Sequence, residues 1–200
     1  MTWIIQDADE DQFIKEIHSY PDRVAGIVGA TIVDRRLLAA IKARWLNAEN
    51  IFDELFEGAA GPLGTFSSRI KIGYAIKLYG EEAYKDLNRM RKIRNEFAHG
   101  VGAHVFNKQS IRDQANNLTL PNSYPVSTEP VTVTISENKA ALWDMAVSMT
   151  KHTFLIGQLV DPRSKFLRTV EILSALLWYE EYFAKSAGVP PDSLPPTPRF

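Results

Sequence analysis

Apolar residues recur along most of this chain at helical spacing, and strict alternation is almost absent. Asp9 to Tyr20 places Phe13, Ile14 and Ile17 on one side and predicts a short first helix. Pro21 falls where the first turn of a helix tolerates it, and a long helix is predicted from Asp22 to about Leu46. Its second half, Asp34 to Leu46, is plainly amphipathic. Its first half, Val24 to Val33, is β-branched and carries Gly26 and Gly29, a composition that a strand would also accept. No turn signal separates it from the run that follows, so helix is preferred. Ala25, Gly29 and Val33 then form a flat stripe where another helix can approach closely.

After a break at Asn47 to Asn50, a short helix to Glu57 is predicted, and Gly58 to Gly64 reads as a loop. Thr65 is the expected N-cap of a helix from Phe66 to Tyr79, with Gly80 ending it in the left-handed conformation. Glu81 and Glu82 suit the positive end of the next helix, which runs to about His99 and closes at Gly100. Residues 101–135 are the least regular, with one short helix expected within Gln109 to Leu118 and prolines at 121, 125 and 130. Val131 to Ile135 reads as an extended piece, Ser136 to about Val160 as a long helix, and Asp161-Pro162 as the start of a last helix ending near Ala187-Gly188. The fold class expected is all-α: a single multi-helix bundle of about seven helices with at most one short strand pair. It spans residues 1–188, and the proline-rich tail 189–200 is expected to be disordered.

Composition narrows the function. The 200 residues are 45% hydrophobic and 24% charged, ordinary for a globular protein. The absence of cysteine removes disulfides, thiolate catalysis and cysteine zinc sites. His18, His104 and His152 show no metal-ligand spacing, so no metal or other cofactor is expected. The start of the chain lacks the basic region of a signal peptide. Uncharged stretches such as Val24 to Val33 are too short to span a bilayer. A cytoplasmic protein with no membrane partner is expected. The net charge of −1 argues against tight duplex binding through phosphates. There is no Gly-x-Ser-x-Gly elbow, and the loop Gly58 to Gly64 lacks the Lys-Ser/Thr of a phosphate cradle.

Candidate chemistry concentrates at one helix end. On a wheel of about 100° per residue, Ala83, Leu87, Met90, Ile93 and Phe97 share the core face, and Arg94 falls inside that stripe. A guanidinium there either reaches out of the core edge with its stem packed or, if buried, needs an acceptor, with Asp53, Glu54 or Glu57 the carboxylates expected to supply it. On that reading Asn95 and His99 merely cap the helix. The functional reading makes Arg94, Asn95 and His99 converge on an anion. Histidine transfers protons near neutral pH, and arginine stabilises charge developing on phosphorus. These are parts of metal-independent RNA cleavage by the 2′-hydroxyl.

Leu55-Phe56-Glu57, then Gly61-Pro62-Leu63-Gly64-Thr65-Phe66-Ser67-Ser68-Arg69-Ile70, then Ile93-Arg94-Asn95-Glu96-Phe97-Ala98-His99 resemble the mannitol operon repressor family. Asp34-Arg35-Arg36-Leu37 and Asp161-Pro162-Arg163 with Phe166-Leu167 fit the same family, so the resemblance covers roughly residues 20–185. It implies an all-helical bacterial fold and a part in regulating sugar-alcohol transport operons, with no recognisable DNA-reading motif. Arg94-Asn95 followed by His99 also resembles the HEPN superfamily, which holds dimeric RNases and inactive binding members.

Three readings stay open, in this order. The first is a transcription-regulatory protein acting through a protein partner or a homodimer. The second is a HEPN-type RNase or toxin-like enzyme with Arg94, Asn95 and His99 as catalytic residues and RNA as substrate. The third is an autonomous DNA-binding repressor. It needs a basic face, but Lys85, Arg89 and Lys92 sit among Glu82, Asp86 and Glu96, a mixed-sign pattern typical of a solvated surface. Specific DNA binding by the chain alone is therefore not expected.

Overall fold

A computed structural model describes residues 12–14, 16–45, 51–56, 61–100, 105–123 and 161–187. Among them the regular structure is helical, with no strand. A 3-10 turn at Ile17–Ser19 precedes α1 (Asp22–Arg44), α2 (Phe52–Phe56), α3 (Phe66–Ala75), α4 (Glu81–His99), α5 (Gln109–Asn116), α6 (Leu120–Ser123) and α7 (Pro162–Ala187). The all-α reading holds. The extended piece at Val131 to Ile135, the helix from Ser136 to Val160 and the tail from residue 189 lie outside the described residues.

The ambiguous glycine-containing run is helix, the first half of α1. Its small residues explain why. Ala25 and Val33 are fully buried, and a Cβ on Gly29 would lie 2.9 Å from Val170 Cγ2 and 3.0 Å from Phe166 Cε1. The stripe therefore admits α7, and the α1–α7 pair is the most extensively packed in the fold. The two helices run in the same direction: Asp22 pairs with Arg163 near their starts, while Arg36 and Arg44 pair with Glu181 and Glu180 near their ends. α4 packs against α1 at a second notch, where a Cβ on Gly26 would collide with the ring of Phe97. The Phe97 ring meets Phe106 at 5.0 Å between centroids, and Phe106 meets Phe166 at 5.2 Å. This cluster ties α1, α4, the turn before α5, and α7 into one core.

Helix ends follow local chemistry. Thr65 Oγ1 accepts from Ser68 N at 3.1 Å while Ser68 Oγ accepts from Thr65 N at 3.3 Å, a capping box that starts α3 as predicted. Asp161 Oδ1 accepts from Arg163 N at 2.9 Å and Ser164 N at 3.1 Å, with Pro162 at the first helical position of α7.

One expected terminus is corrected. α3 stops at Ala75 rather than Tyr79, and Gly80 is extended (φ −86, ψ −171) rather than left-handed. Lys77 takes the left-handed turn instead, with φ 57. Leu78 N donates to Gly73 O at 2.9 Å and Lys77 N to Tyr74 O at 3.0 Å, the paired bonds of a Schellman ending. The cause is tertiary. Turning at Lys77 buries Leu78 and Tyr79 and lets the Tyr79 hydroxyl donate to Ile70 O at 2.7 Å. Burying a leucine contributes about 1.5–3 kcal/mol, against about 1–2 kcal/mol for a left-handed non-glycine residue. Burial also pushes the Tyr79 phenol above its ordinary range, so it stays a donor.

The notch at Gly26 yields a test. Alanine at a helical glycine normally stabilises by about 1 kcal/mol, but overpacking a filled core costs about 1–3 kcal/mol. Gly26→Ala should lower stability in chemical denaturation, and the added change Phe97→Leu should recover part of the loss. A Gly26→Ala protein as stable as the parent would show that the Phe97 ring moves aside freely.

Candidate functional site

α4 carries two sets of polar residues with different fates. Asp86, on its first half, is fully buried. Its carboxylate accepts from Arg89 Nη1 at 2.7 Å, from Thr119 N at 2.8 Å and from Leu120 N at 2.8 Å. Asp86 thus anchors the start of α6, and the expectation of a solvated mixed-sign face is corrected at this residue. The backbone donors of Thr119 and Leu120 need an acceptor in the interior, and Asp86 supplies one for both. Sequence periodicity carried a signal for it: Asp86 falls next to Ala83, Met90 and Ile93 on the core face.

Arg94 departs from the buried-pair expectation as well. It is only half-buried, and its Nη1 donates to Asn95 Oδ1 at 3.4 Å. Among the described residues it has no carboxylate partner; Asp53 and Glu54 are exposed on α2, and Glu57 lies outside the described residues. The buried stripe shifts around α4 along its length, from Ala83 and Leu87 to Ile93 and Phe97. Arg94 is left at its edge, half-exposed, where its guanidinium requires no internal ion pair.

The second polar set forms a groove. Lys92, Asn95, Glu96 and His99 recur at helical spacing on the last two turns of α4. With Gly100, and with Ser110 and Gln114 from α5, they line a cavity of about 540 Å³. Two of the three candidate catalytic residues, Asn95 and His99, are brought together there; Arg94 is outside the lining but bonded to Asn95. Glu96 accepts from Lys108 Nζ at 3.1 Å and from Ser110 Oγ at 3.3 Å, which fastens α4 to the start of α5. The position of α5 follows from the core: Phe106 is held against Phe97, and its backbone N–H donates to Asp22 Oδ2 at 2.9 Å. Lys92 and Glu96 were legible as neighbours of Asn95 and His99 by their spacing. Ser110 and Gln114 were not, because only the packing of the Phe106 turn brings them over α4. Among the described residues no cluster of His, Asp or Glu could hold a metal ion.

The glycine-rich motif before α3 proves architectural. Arg69 grips Asp34 of α1 through two bonds, Nε to Oδ1 at 2.8 Å and Nη2 to Oδ2 at 2.6 Å, and its Nη1 donates to Leu63 O at 3.1 Å. Leu63 N in turn donates to Leu55 O at 2.8 Å. The Gly61 to Gly64 turn is therefore pinned between α1, α2 and α3.

Residues 47–157, more than half of the chain, match the sequence profile of the mannitol repressor family. The chain belongs to the mannitol repressor family. The matched span holds α2 to α6 and the whole groove, while α1 and α7 flank it. No curated protein and no solved structure matches the chain. Membership in the mannitol repressor family supports a regulatory role in a mannitol operon. No helix among the described residues is long and apolar enough to cross a membrane.

The contrast between Asp86 and Arg94 can be measured. Asp86→Ala strands the buried amide of Leu120 and the half-buried amide of Thr119 and should cost about 2–4 kcal/mol of stability. Arg94→Ala removes a half-exposed group and should stay within about 1 kcal/mol of the parent. Urea unfolding of both variants checks this; an Arg94→Ala loss as large as that of Asp86→Ala would return Arg94 to a structural role.

Proposed function

We propose that this mannitol repressor family member is a cytoplasmic transcription-regulatory protein that acts through contacts with a protein partner or a second copy of itself, rather than by binding DNA alone. The observation that carries this reading is where the arginines are spent. Arg36, Arg44, Arg69, Arg89, Arg163 and Arg168 are all engaged by carboxylates within the fold. Together with a net charge of −1, the engagement of these six of the chain's twelve arginines reduces the cationic surface available for the phosphate contacts that supply most non-specific DNA affinity. No described helix presents the row of exposed arginines that a recognition helix uses to read base edges. Exposed Tyr74 packs against Tyr84 with its ring tilted by 31° and 4.6 Å between centroids, an aromatic pair of the kind enriched in protein interfaces.

A gel-shift titration of the isolated protein on mannitol-operon promoter DNA near physiological salt tests the proposal. No sequence-specific shift is expected. A tight, salt-sensitive shift that is lost on scrambled DNA would overturn it.

One observation favours a second reading, metal-independent RNA cleavage. Asn95 and His99 share a groove, and Arg94 is hydrogen-bonded to Asn95 at its edge. On this reading His99 transfers the proton, Arg94 stabilises the phosphate and Asn95 orients one of them. Arg94 lies outside the groove lining, so activity would depend on a dimer presenting the same helix end twice around a two-fold axis. Single-stranded RNA incubated with the protein in chelator should then be cut by the parent and not by His99→Ala. Intact RNA, or equal cutting by both proteins, removes this reading.

A further inference from the structure

We infer that the groove between the end of α4 and the start of α5 is a binding site for a small phosphomonoester with a hydroxylated body. This goes beyond the protein-contact reading and does not rest on it. Four side chains of the lining offer hydrogen-bond donors. Among the described residues, Lys92, His99 and Gln114 make no side-chain hydrogen bond or ion pair. Asn95 has its Oδ1 occupied by Arg94 Nη1 at 3.4 Å, which leaves the two protons on Nδ2 to be used. Among the described residues the lining holds one carboxylate, Glu96, and it is already engaged by Lys108 at 3.1 Å and Ser110 at 3.3 Å. The wall therefore offers a surplus of donors, and the carboxylate one helical turn from Lys92, that of Glu96, is shared with Lys108 and Ser110. A group with several acceptor oxygens and a negative charge satisfies that surplus, and a phosphomonoester dianion presents three such oxygens.

Size and polarity separate this ligand from the other anions. A volume of about 540 Å³ fits a small molecule. Every described lining residue other than Gly100 is polar, so among the described residues the groove has no aromatic or aliphatic pocket of the kind that an interface anchor fills. It equally lacks the aromatic side chains on which single-stranded bases stack. Gln114, Ser110 and Glu96 supply both donors and acceptors, which suits hydroxyl groups on the body of the ligand. Arg94 acts here as a positioning residue: it touches Asn95 and not the groove, and by holding Oδ1 it fixes which atoms of the amide are free.

Titration of the full chain, followed by amide NMR signals, tests the inference with four probes: a hexose phosphate, the unphosphorylated hexose, inorganic phosphate and a single-stranded oligoribonucleotide. The hexose phosphate should move the signals of Gly100, Ser110 and Gln114 and bind more tightly than inorganic phosphate, and the free hexose should leave them in place. Lys92→Glu and His99→Gln, both changes at exposed positions, should each weaken binding by ~10-fold or more. Arg94→Leu should weaken it by a smaller factor while the signals of the core stay unchanged. Absence of shifts with millimolar hexose phosphate, shifts indifferent to Lys92→Glu, or an affinity for free hexose equal to that for its phosphate would overturn the inference. So would preferential binding of the oligoribonucleotide, which would assign the groove to RNA. None of these outcomes depends on whether promoter DNA is shifted or RNA is cut, so failure here is distinguishable from failure of either functional reading.

Discussion

The Phe97 ring seated against Gly26 is the contact on which the rest of this structure depends. It sets the distance between α1 and α4, since any side chain at position 26 would push the ring away. Phe97 also carries Phe106, and Phe106 carries the turn into α5. Asp22, one turn before Gly26, takes both the Phe106 amide and the Arg163 guanidinium, so the same corner registers the start of α7. Asn95, Glu96 and His99 flank Phe97 on the helix it anchors, and Ser110 and Gln114 sit on the helix that Phe106 places. The groove is therefore an exterior consequence of an interior aromatic cluster.

Charge inside the fold is the second constraint. Arg168 is fully buried and pairs with Glu171 at 3.0 Å, while His18 meets the other oxygen of Glu171 at 3.1 Å. Burial draws the Arg168 guanidinium below its ordinary range, and Glu171 opposes that shift. Glu180 and Glu181 receive Arg44 and Arg36. Such pairs add little net stability, because desolvation offsets most of the attraction, but mispairing them is expensive. The two pairs that cross the seam, Arg36–Glu181 and Arg44–Glu180, oppose a slip of α1 along α7, which an apolar seam of alanine, valine and leucine would tolerate. The same economy explains the surface: arginines used as internal registers are not available to hold nucleic acid.

The all-helical class and most helix limits were legible because they depend on local signals: apolar spacing, the Thr65 and Asp161 caps, and the small-residue stripe of α1. The failures have a common cause. Lys77 turns left-handed because Leu78 and Tyr79 gain more by burial than the backbone loses, a balance no local pattern reveals. Asp86 was counted with the solvated charges because its partners, the amides of Thr119 and Leu120, are far away in sequence. Arg94 was assigned an internal carboxylate because an ideal wheel keeps one core direction, whereas the buried stripe of α4 shifts along its length. Half of the groove was visible as the spacing of Lys92, Asn95, Glu96 and His99. The other half required knowing where α5 docks.

The two motifs that carry the family resemblance separate on physical grounds. In the first, Gly61 to Arg69, polar groups find partners within the fold: Arg69 bonds Asp34 and the Leu63 carbonyl, and Thr65 and Ser68 cap each other. A site whose hydrogen-bonding capacity is consumed internally has little left for a ligand, so this motif reads as a device that fixes α1, α2 and α3. In the second, Arg94 to His99, the hydrophobic member Phe97 is buried and saturated with contacts, while His99 and Asn95 line a polar groove and, among the described residues, nothing bonds the His99 ring or the Asn95 amide protons. Of the two motifs, the second is therefore the one whose polar side chains are open to solvent in a concavity, beside a rigid aromatic anchor, with bonding capacity left for another molecule.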